Sequence, residues 1–182
     1  MELKRNADMI VSYLTLRRCI GILGMALPFA VMLGGLLQSP LRIQSSISDY
    51  YYTNMRDFFV GLMCAVGLFL ITYKGYDRID NGVSIASGIL AFGVAAFPTF
   101  TPTGESLRVG IFLLDDDVSK YIHLTCACLF FALLALNSIF LFTKSDDKPV
   151  TARKRTRNAV YVTCGVVMLA SIAILAAYVA FL

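Results

Sequence analysis

Charged residues are scarce in this sequence. Only 15% of its 182 residues are Asp, Glu, Lys or Arg, whereas an average soluble protein has about 25%. Apolar residue types make up 58% of the chain, so too few polar side chains remain to cover a core in water. This composition excludes an ordinary soluble domain and predicts that lipid is the solvent of the protein.

Residues that bind metals or form disulfides are also few. His123 is the only histidine, and zinc sites usually cluster three or four ligands. The five cysteines lie inside apolar runs and show no paired spacing: Cys19, Cys64, Cys126, Cys128 and Cys164. An odd, unpaired set predicts no disulfide framework. We expect these thiols to be buried as small apolar side chains, and we expect no bound metal.

Nucleotide-binding and acyl-transfer motifs are missing as well. The sequence has no phosphate-binding glycine loop and no dinucleotide fingerprint,. It also has no nucleophile-elbow motif,. We therefore expect no cofactor. Gly34 and Gly35 lie within an apolar run, where they are better explained as a packing or hinge feature of a helix.

Apolar runs of membrane-spanning length take the place of such motifs. A helical span needs about 20 residues, and five runs approach or reach that length. They are residues 19–38, 57–73, 83–98, 121–142 and 159–181. These runs predict an all-α, polytopic membrane protein with five transmembrane helices. Residues 1–18 carry basic and apolar residues at helical spacing, which predicts an amphipathic helix on the membrane surface. Pro28 is expected to kink the first span.

The distribution of Lys and Arg predicts the orientation of these spans. Of the 16 such residues, 12 fall in the N-terminal segment and in residues 74–82 and 143–158, and 4 fall in the other loops. Loops rich in Lys and Arg stay in the cytoplasm. We therefore expect a bacterial inner-membrane protein with its N-terminus in the cytoplasm and its C-terminus outside.

A polar stretch, residues 45–57, precedes the second span and combines hydroxyls, three tyrosines and an Arg-Asp pair. With this topology, Asp57 and His123 open the second and fourth spans at the same outer depth. Ionisable groups at span level usually face the bundle interior. The expected ligand-binding cluster consists of Asp49, Tyr51, Arg56, Asp57 and His123. The alternative is anchoring at the interface, with the tyrosines in an aromatic belt.

The same stretch supplies the parts of a hydrolytic triad. One of the serines Ser45, Ser46 or Ser48 would provide a hydroxyl, His123 an imidazole, and either Asp49 or Asp57 a carboxylate. Because the nucleophile elbow is missing, the sequence assigns no catalytic residue, and Ser48, His123, Asp49 and Asp57 remain candidates.

A basic cluster precedes the fifth span and consists of Arg153, Lys154, Arg155 and Arg157. Beside a span, such a cluster anchors the topology, and it can also bind anionic lipid or an acidic cytoplasmic partner protein. Asp146 and Asp147 reduce the positive field nearby, which argues against direct binding of nucleic acid.

Several short motifs resemble those of uncharacterised bacterial multispan membrane proteins. They are Ile47-Ser48-Asp49-Tyr50-Tyr51, Arg56-Asp57-Phe58, Tyr73-Lys74-Gly75-Tyr76 and Phe97-Pro98-Thr99, with His123 early in the fourth span. The same region, residues 45–130, is more loosely similar to DRAM-type membrane proteins, which have six spans and an Ile-Ser-Asp element after the first. The resemblance implies a multispan fold with an outward polar site, and it brings no reaction with it.

Two classes of function are compatible with these features. The first is a non-enzymatic membrane component: a sensor, scaffold or pore-like subunit of a defence or stress system, working with a cytoplasmic partner. The alternative is a membrane-embedded lipid-binding protein or lipid hydrolase with an outward Asp/His site. Ser84, Gly88 and Gly93 lie along the third span, and small residues at such spacing let helices approach closely in lipid. They predict a homo-oligomer.

Overall fold

The computed structural model describes residues 2–37, 43–74, 77–99, 110–144 and 151–181. Within these ranges the chain is helical and has no β-strand, which confirms the all-α prediction. The α-helices are α1 (Glu2–Gly35), α2 (Arg56–Thr72), α3 (Arg78–Ala96), α4 (Asp116–Leu136) and α5 (Ala152–Phe181). A 3-10 helix, Ile47–Tyr52, precedes α2 and is called the 3-10 segment below. A π-helical segment, Asn137–Leu141, extends α4.

Three helices are long and apolar enough to cross a membrane: α3, α4 with its π-helical extension, and α5. The helix α2 has 17 residues, and the apolar part of α1, Gly21–Gly35, is also a shorter helix. The multispan prediction is therefore confirmed in a coarser form, as a helical bundle with three candidate membrane spans.

Two predicted boundaries differ from the observed ones. The amphipathic segment and the first span form one helix, α1, because residues 2–18 contain no proline or glycine that would end it,. The helix α5 begins at Ala152, before the predicted span, because Thr151 Oγ1 accepts a hydrogen bond from the Lys154 backbone N–H (3.4 Å) and caps the helix,. The basic cluster therefore lies on the first turns of α5 rather than in a loop. Positions 1, 38 and 182 lie outside the described residues.

Successive helices from α2 to α5 run in alternate directions. At one end, Ser119 in the first turn of α4 donates a hydrogen bond to the Pro98 carbonyl oxygen after α3 (2.8 Å). At the other end, Lys144 after α4 contacts Asp80 in the first turn of α3. Most of the buried core lies toward the first of these ends: Val31, Tyr50, Tyr51, Phe59, Ala91, Ala95 and Phe130.

The helices α2 and α3 approach each other closely where Gly67 meets Gly88. A Cβ atom added to Gly88 would lie 2.5 Å from the Gly67 carbonyl oxygen, closer than the two atoms can come. Ser84 and Gly88 are both buried, and Gly93 faces Cys126 of α4. Neighbouring helices of the same chain therefore already cover the small-residue face that was predicted to serve self-association.

The helix α5 packs against the bundle mainly through its first half. There, Ser138 Oγ of the π-helical segment donates a hydrogen bond to the Tyr161 carbonyl oxygen (2.7 Å). Farther along, Ile174 and Tyr178 are 71% and 65% exposed. The five cysteines are free, and Cys19, Cys128 and Cys164 are exposed. Their predicted burial is therefore wrong, because these three lie on helix faces that point away from the bundle.

Candidate functional site

The polar stretch before α2 folds through a reciprocal pair of hydrogen bonds. Ser46 Oγ accepts from the Asp49 backbone N–H (3.2 Å), and Asp49 Oδ2 accepts from the Ser46 backbone N–H (3.0 Å). This capping box satisfies two backbone donors that would otherwise lack partners at a helix start. The predicted site residue Asp49 therefore holds the 3-10 segment in shape.

Two of the three tyrosines of the 3-10 segment are buried rather than spread along an interface. Tyr50 is 1% exposed and Tyr51 is 2% exposed. The Tyr50 ring lies against the backbone of Gly35, where a Cβ atom would come within 2.5 Å of the ring. This contact confirms that the paired glycines at the end of α1 serve packing. Tyr52 donates a hydrogen bond to the Thr99 carbonyl oxygen after α3, so the segment fills the space between three helices.

His123 connects α4 to both α3 and the 3-10 segment. It is 1% exposed. Its Nδ1 atom lies 2.6 Å from the Phe97 carbonyl oxygen, and its Nε2 atom lies 3.0 Å from Ser48 Oγ. A carbonyl oxygen can only accept, so Nδ1 carries the proton in the neutral ring and Nε2 accepts from the Ser48 hydroxyl. The imidazole is thus held in one tautomer and one orientation.

Arg56 and Tyr51 contact each other, as predicted for neighbours in the cluster. The Arg56 guanidinium carbon lies 4.7 Å from the centre of the Tyr51 ring, and Nη2 donates a hydrogen bond to the Tyr51 hydroxyl (3.3 Å). This combination of a cation–π contact and a hydrogen bond stabilises the start of α2 against the 3-10 segment.

Asp57 does not join this cluster. Its side chain is exposed, and among the described residues it forms no ion pair with Arg56 or His123. The reason is helical geometry: Phe59 is 2% exposed and faces the core, and a position two residues away lies about 200° around the helix. The common depth of Asp57 and His123 predicts that they pair, but this pair is not formed.

An apolar cavity of about 430 Å³ adjoins Ser48 and is called the Ser48 cavity. Its lining includes Leu27 and Pro28 of α1, Ile47 and Ser48 of the 3-10 segment, and Ala127 and Phe130 of α4. A second cavity, of about 410 Å³, lies toward the other end of the bundle and includes Asn137, after which it is named the Asn137 cavity. Both cavities share Gly24, Val66 and Leu134 as lining residues, so they are neighbours along one crevice.

A second polar cluster, at the opposite end of the bundle, was not predicted from the sequence. Lys144 Nζ lies 2.8 Å from Asp77 Oδ2 and 2.6 Å from Asp80 Oδ1, and the Asp80 side chain is only 4% exposed. The hydrogen bond from Lys144 lowers the pKa of Asp77 to about 2, and the same bond raises the pKa of Lys144. A signal was present, since Asp80 precedes buried Ser84 by four residues and so shares its helix face,.

The basic cluster on α5 makes few contacts. Lys154 Nζ donates a hydrogen bond to the Lys144 carbonyl oxygen (3.1 Å), which ties the start of α5 to the second polar cluster. Arg153, Arg155 and Arg157 are exposed. Three of the four predicted basic residues are therefore accessible to a partner or a lipid surface.

No group of three or more His, Cys, Asp or Glu residues within the described ranges could hold a metal ion. Comparison of the chain with protein-family models, curated proteins and solved structures finds no match.

Proposed function

We propose that this chain is a lipid-responsive sensor subunit that takes an acyl chain of a membrane lipid into the Ser48 cavity. The observation that carries the proposal is the position of Ser48. Ser48 lines the cavity, and its hydroxyl also forms a hydrogen bond with His123. An acyl chain in the cavity would therefore contact the 3-10 segment at the residue that binds His123 of α4.

The size and lining of the Ser48 cavity favour an apolar guest. Sites for small molecules in proteins measure about 300–1,000 Å³ and are mostly apolar, and this cavity has about 430 Å³. A ligand shifts a conformational equilibrium only by its differential affinity for the two states. Here the two states are the 3-10 segment docked on His123 and the segment released from it.

The membrane topology in this proposal has five spans in a bacterial inner membrane, with the N-terminus in the cytoplasm. The helix α2 is short for a span, but charged residues flank it: Arg56 and Asp57 at its start and Lys74 after its end. Such side chains can extend to the headgroups and compensate for a short apolar segment. The exposed Arg153, Arg155 and Arg157 would then dock a cytoplasmic partner or anionic lipid, and self-association would use an exposed helix such as α5.

The test is to fill the cavity without changing its surroundings. Ala127 of α4 lines the Ser48 cavity, so Ala127→Phe should occupy the space that an acyl chain needs. Cys128→Phe is the matched control, because Cys128 is the next residue and is exposed. A phosphatidylglycerol with a photoreactive acyl chain, incorporated in vesicles, should label the unchanged protein and Cys128→Phe but not Ala127→Phe. Equal labelling of all three proteins would overturn the proposal.

A lipid hydrolase is the second candidate, because Ser48, His123 and Phe97 form a continuous chain of contacts. In serine hydrolases the base accepts the nucleophile's proton, and a third group orients the base. Here Ser48 Oγ would attack the ester carbonyl of a lipid and form an acyl-serine. His123 Nε2 would take the Ser48 proton and pass it to the leaving alcohol, and water would then release the fatty acid.

A fluorophosphonate probe separates the hydrolase from the sensor. It should label Ser48 in the unchanged protein and in Ser45→Ala, and labelling should disappear in Ser48→Ala and His123→Gln. Failure of the probe to label the protein, combined with acyl-chain photolabelling of the cavity, would exclude the hydrolase and leave the sensor.

A further inference from the structure

The Asn137 cavity contains two buried polar side chains without partners. Asn137 is 4% exposed and Ser84 is 3% exposed, and both line this cavity. Within the described part of the chain, neither side chain has a hydrogen-bond partner. Burying such a group is costly, and in the membrane interior no bulk water takes the partner's place. A ligand that bonds to both groups would remove this cost.

Ser87 shows that a serine of α3 can satisfy its hydroxyl with a hydrogen bond inside the helix. A helical serine can donate to the carbonyl oxygen four residues earlier, and Ser87 Oγ does so to Val83 (2.8 Å). Ser87 is fully buried and does not belong to the cavity lining. Ser84, three residues earlier, lines the cavity.

The backbone around Asn137 is also unusual. The Phe142 backbone N–H donates to the Asn137 carbonyl oxygen (2.9 Å), which is the five-residue spacing of a π-helix. Such π-helical segments are rare in proteins, and those that occur often lie at functional sites. Ser138 Oγ fixes this one to the Tyr161 carbonyl oxygen. The Asn137 amide is therefore held at the cavity wall by a backbone that is anchored on α5.

The rest of the described lining is uncharged and consists of aromatic and aliphatic residues and glycines. Phe69 and Tyr73 form one ring pair, with centroids 6.0 Å apart, and Phe142 and Tyr161 form another, with centroids 5.6 Å apart. All four residues line the cavity, and its described lining includes no Asp, Glu, Lys or Arg. A phosphate headgroup would need a cation to compensate its charge, so the cavity suits a neutral group.

We infer that the Asn137 cavity binds the uncharged, carbonyl-bearing headgroup of a lipid. The Asn137 amide donates a hydrogen bond to the carbonyl, and the Ser84 hydroxyl supplies the second. The chain of the same lipid continues into the Ser48 cavity past the shared residues Gly24, Val66 and Leu134. The inference rests on the proposed binding of a lipid chain and adds the headgroup class. Two kinds of lipid carry this chemistry: isoprenoid quinones and diacylglycerols.

The experiment measures the affinity of purified protein in detergent for three probes: a short-chain ubiquinone, dioctanoylglycerol and dioctanoyl phosphatidic acid. We expect a neutral probe to bind, and phosphatidic acid, which has the same chains as the glyceride, to bind at least tenfold more weakly. Loss of a hydrogen bond in Asn137→Leu should raise the Kd of the neutral probe about tenfold. Ser84→Ala should raise it in the same direction, and the control Ser87→Ala should leave it within about twofold.

Each outcome decides between the proposals. Preference for ubiquinone or for dioctanoylglycerol identifies the source of the carbonyl. Equal affinity for phosphatidic acid and the neutral probes, or unchanged affinity in both Asn137→Leu and Ser84→Ala, overturns the inference. If Ala127→Phe still blocks binding in that case, the proposed acyl-chain site survives. If no probe binds and the photoreactive lipid does not label the cavity, both proposals fall. Where Asn137→Leu does not fold, the smaller change Ser84→Ala decides.

Discussion

Among single residues, Asp80 has the most demanding environment of the carboxylates that the structure describes. It is 3% exposed, and Lys144 Nζ lies 2.6 Å from its Oδ1 atom. A buried charge is tolerated only when it is paired, and removing one partner of such a pair is strongly destabilising. Lys144 also binds Asp77 and is tied through its carbonyl oxygen to Lys154. One lysine therefore joins the starts of α3 and α5 to the end of α4.

The pair of Asp77 and Lys144 predicts a defined pH dependence of stability. Because the pKa of Asp77 is lowered from 3.8 to about 2, its contribution is complete above pH 3.8 and is lost as the pH falls through about 2. The pKa of Lys144 is raised above its ordinary value of 10.5. The pair is therefore still intact at pH 10.5 and is lost only when the pH passes the raised pKa. The difference in Tm between the unchanged protein and Asp77→Asn should therefore be constant from about pH 4 to 10 and shrink toward pH 2.

The control for this measurement is Asp57→Asn. Asp57 is exposed and has no ion pair among the described residues, so its Tm difference should stay small and flat over the same pH range. A Tm difference for Asp77→Asn that persists undiminished at pH 2 would contradict the ion pair as its source.

At the scale of the helices, the α2–α3 contact predicts the effect of a single glycine substitution. Gly88→Leu places a side chain against the Gly67 carbonyl oxygen and Ile71, and such overpacking typically costs about 1–3 kcal/mol. Gly61→Leu on α2 is the control, because a Cβ atom there meets nothing within 4 Å. Thermal unfolding in detergent, followed by the circular dichroism of the helices, should show a lower Tm for Gly88→Leu and little change for Gly61→Leu.

The same variant tests the role of the α3 face. If Gly88→Leu keeps its Tm and instead converts an oligomer to a monomer by native mass spectrometry, the face serves self-association rather than packing within the chain.

Sequence patterns identify the helices well and the contacts between them poorly. The apolar runs predict α2, α3 and α4 because the length of an apolar run and the spacing of its residues can be read from the local sequence. Contacts such as that of Ser48 with His123 depend on how each helix is rotated, and depth alone does not determine rotation. The depth of His123 in its helix therefore predicts a polar site near it, but it does not show that Asp57 points away from that site and, among the described residues, forms no ion pair with His123. Asn137 was overlooked because the π-helical segment that directs it toward the cavity has no recognised sequence signal.

At the scale of the whole molecule, the alternating helices predict which residues lie on the same side of the membrane. In the proposed topology, Ser46 lies outside and Thr151 lies in the cytoplasm. With the five native cysteines replaced, Ser46→Cys should react with an impermeant maleimide in intact cells. Thr151→Cys should react only after the membrane is opened. The reverse pattern would invert the proposed orientation, and equal labelling of both would contradict the alternation.

The hydrogen bond between Ser48 and His123 joins residues 75 positions apart in the chain, and this separation has a consequence for biosynthesis. At a translation rate of about 5–20 residues per second, Ser48 is made roughly 4–15 s before its partner. The 3-10 segment lacks the Thr99 carbonyl oxygen until α3 has been made, and it lacks the His123 imidazole until the start of α4 has been made. The polar groups of the nascent 3-10 segment therefore need another hydrogen-bond partner, either interfacial water or an insertion factor. Its final docking is an event late in membrane insertion, after α4 has left the ribosome.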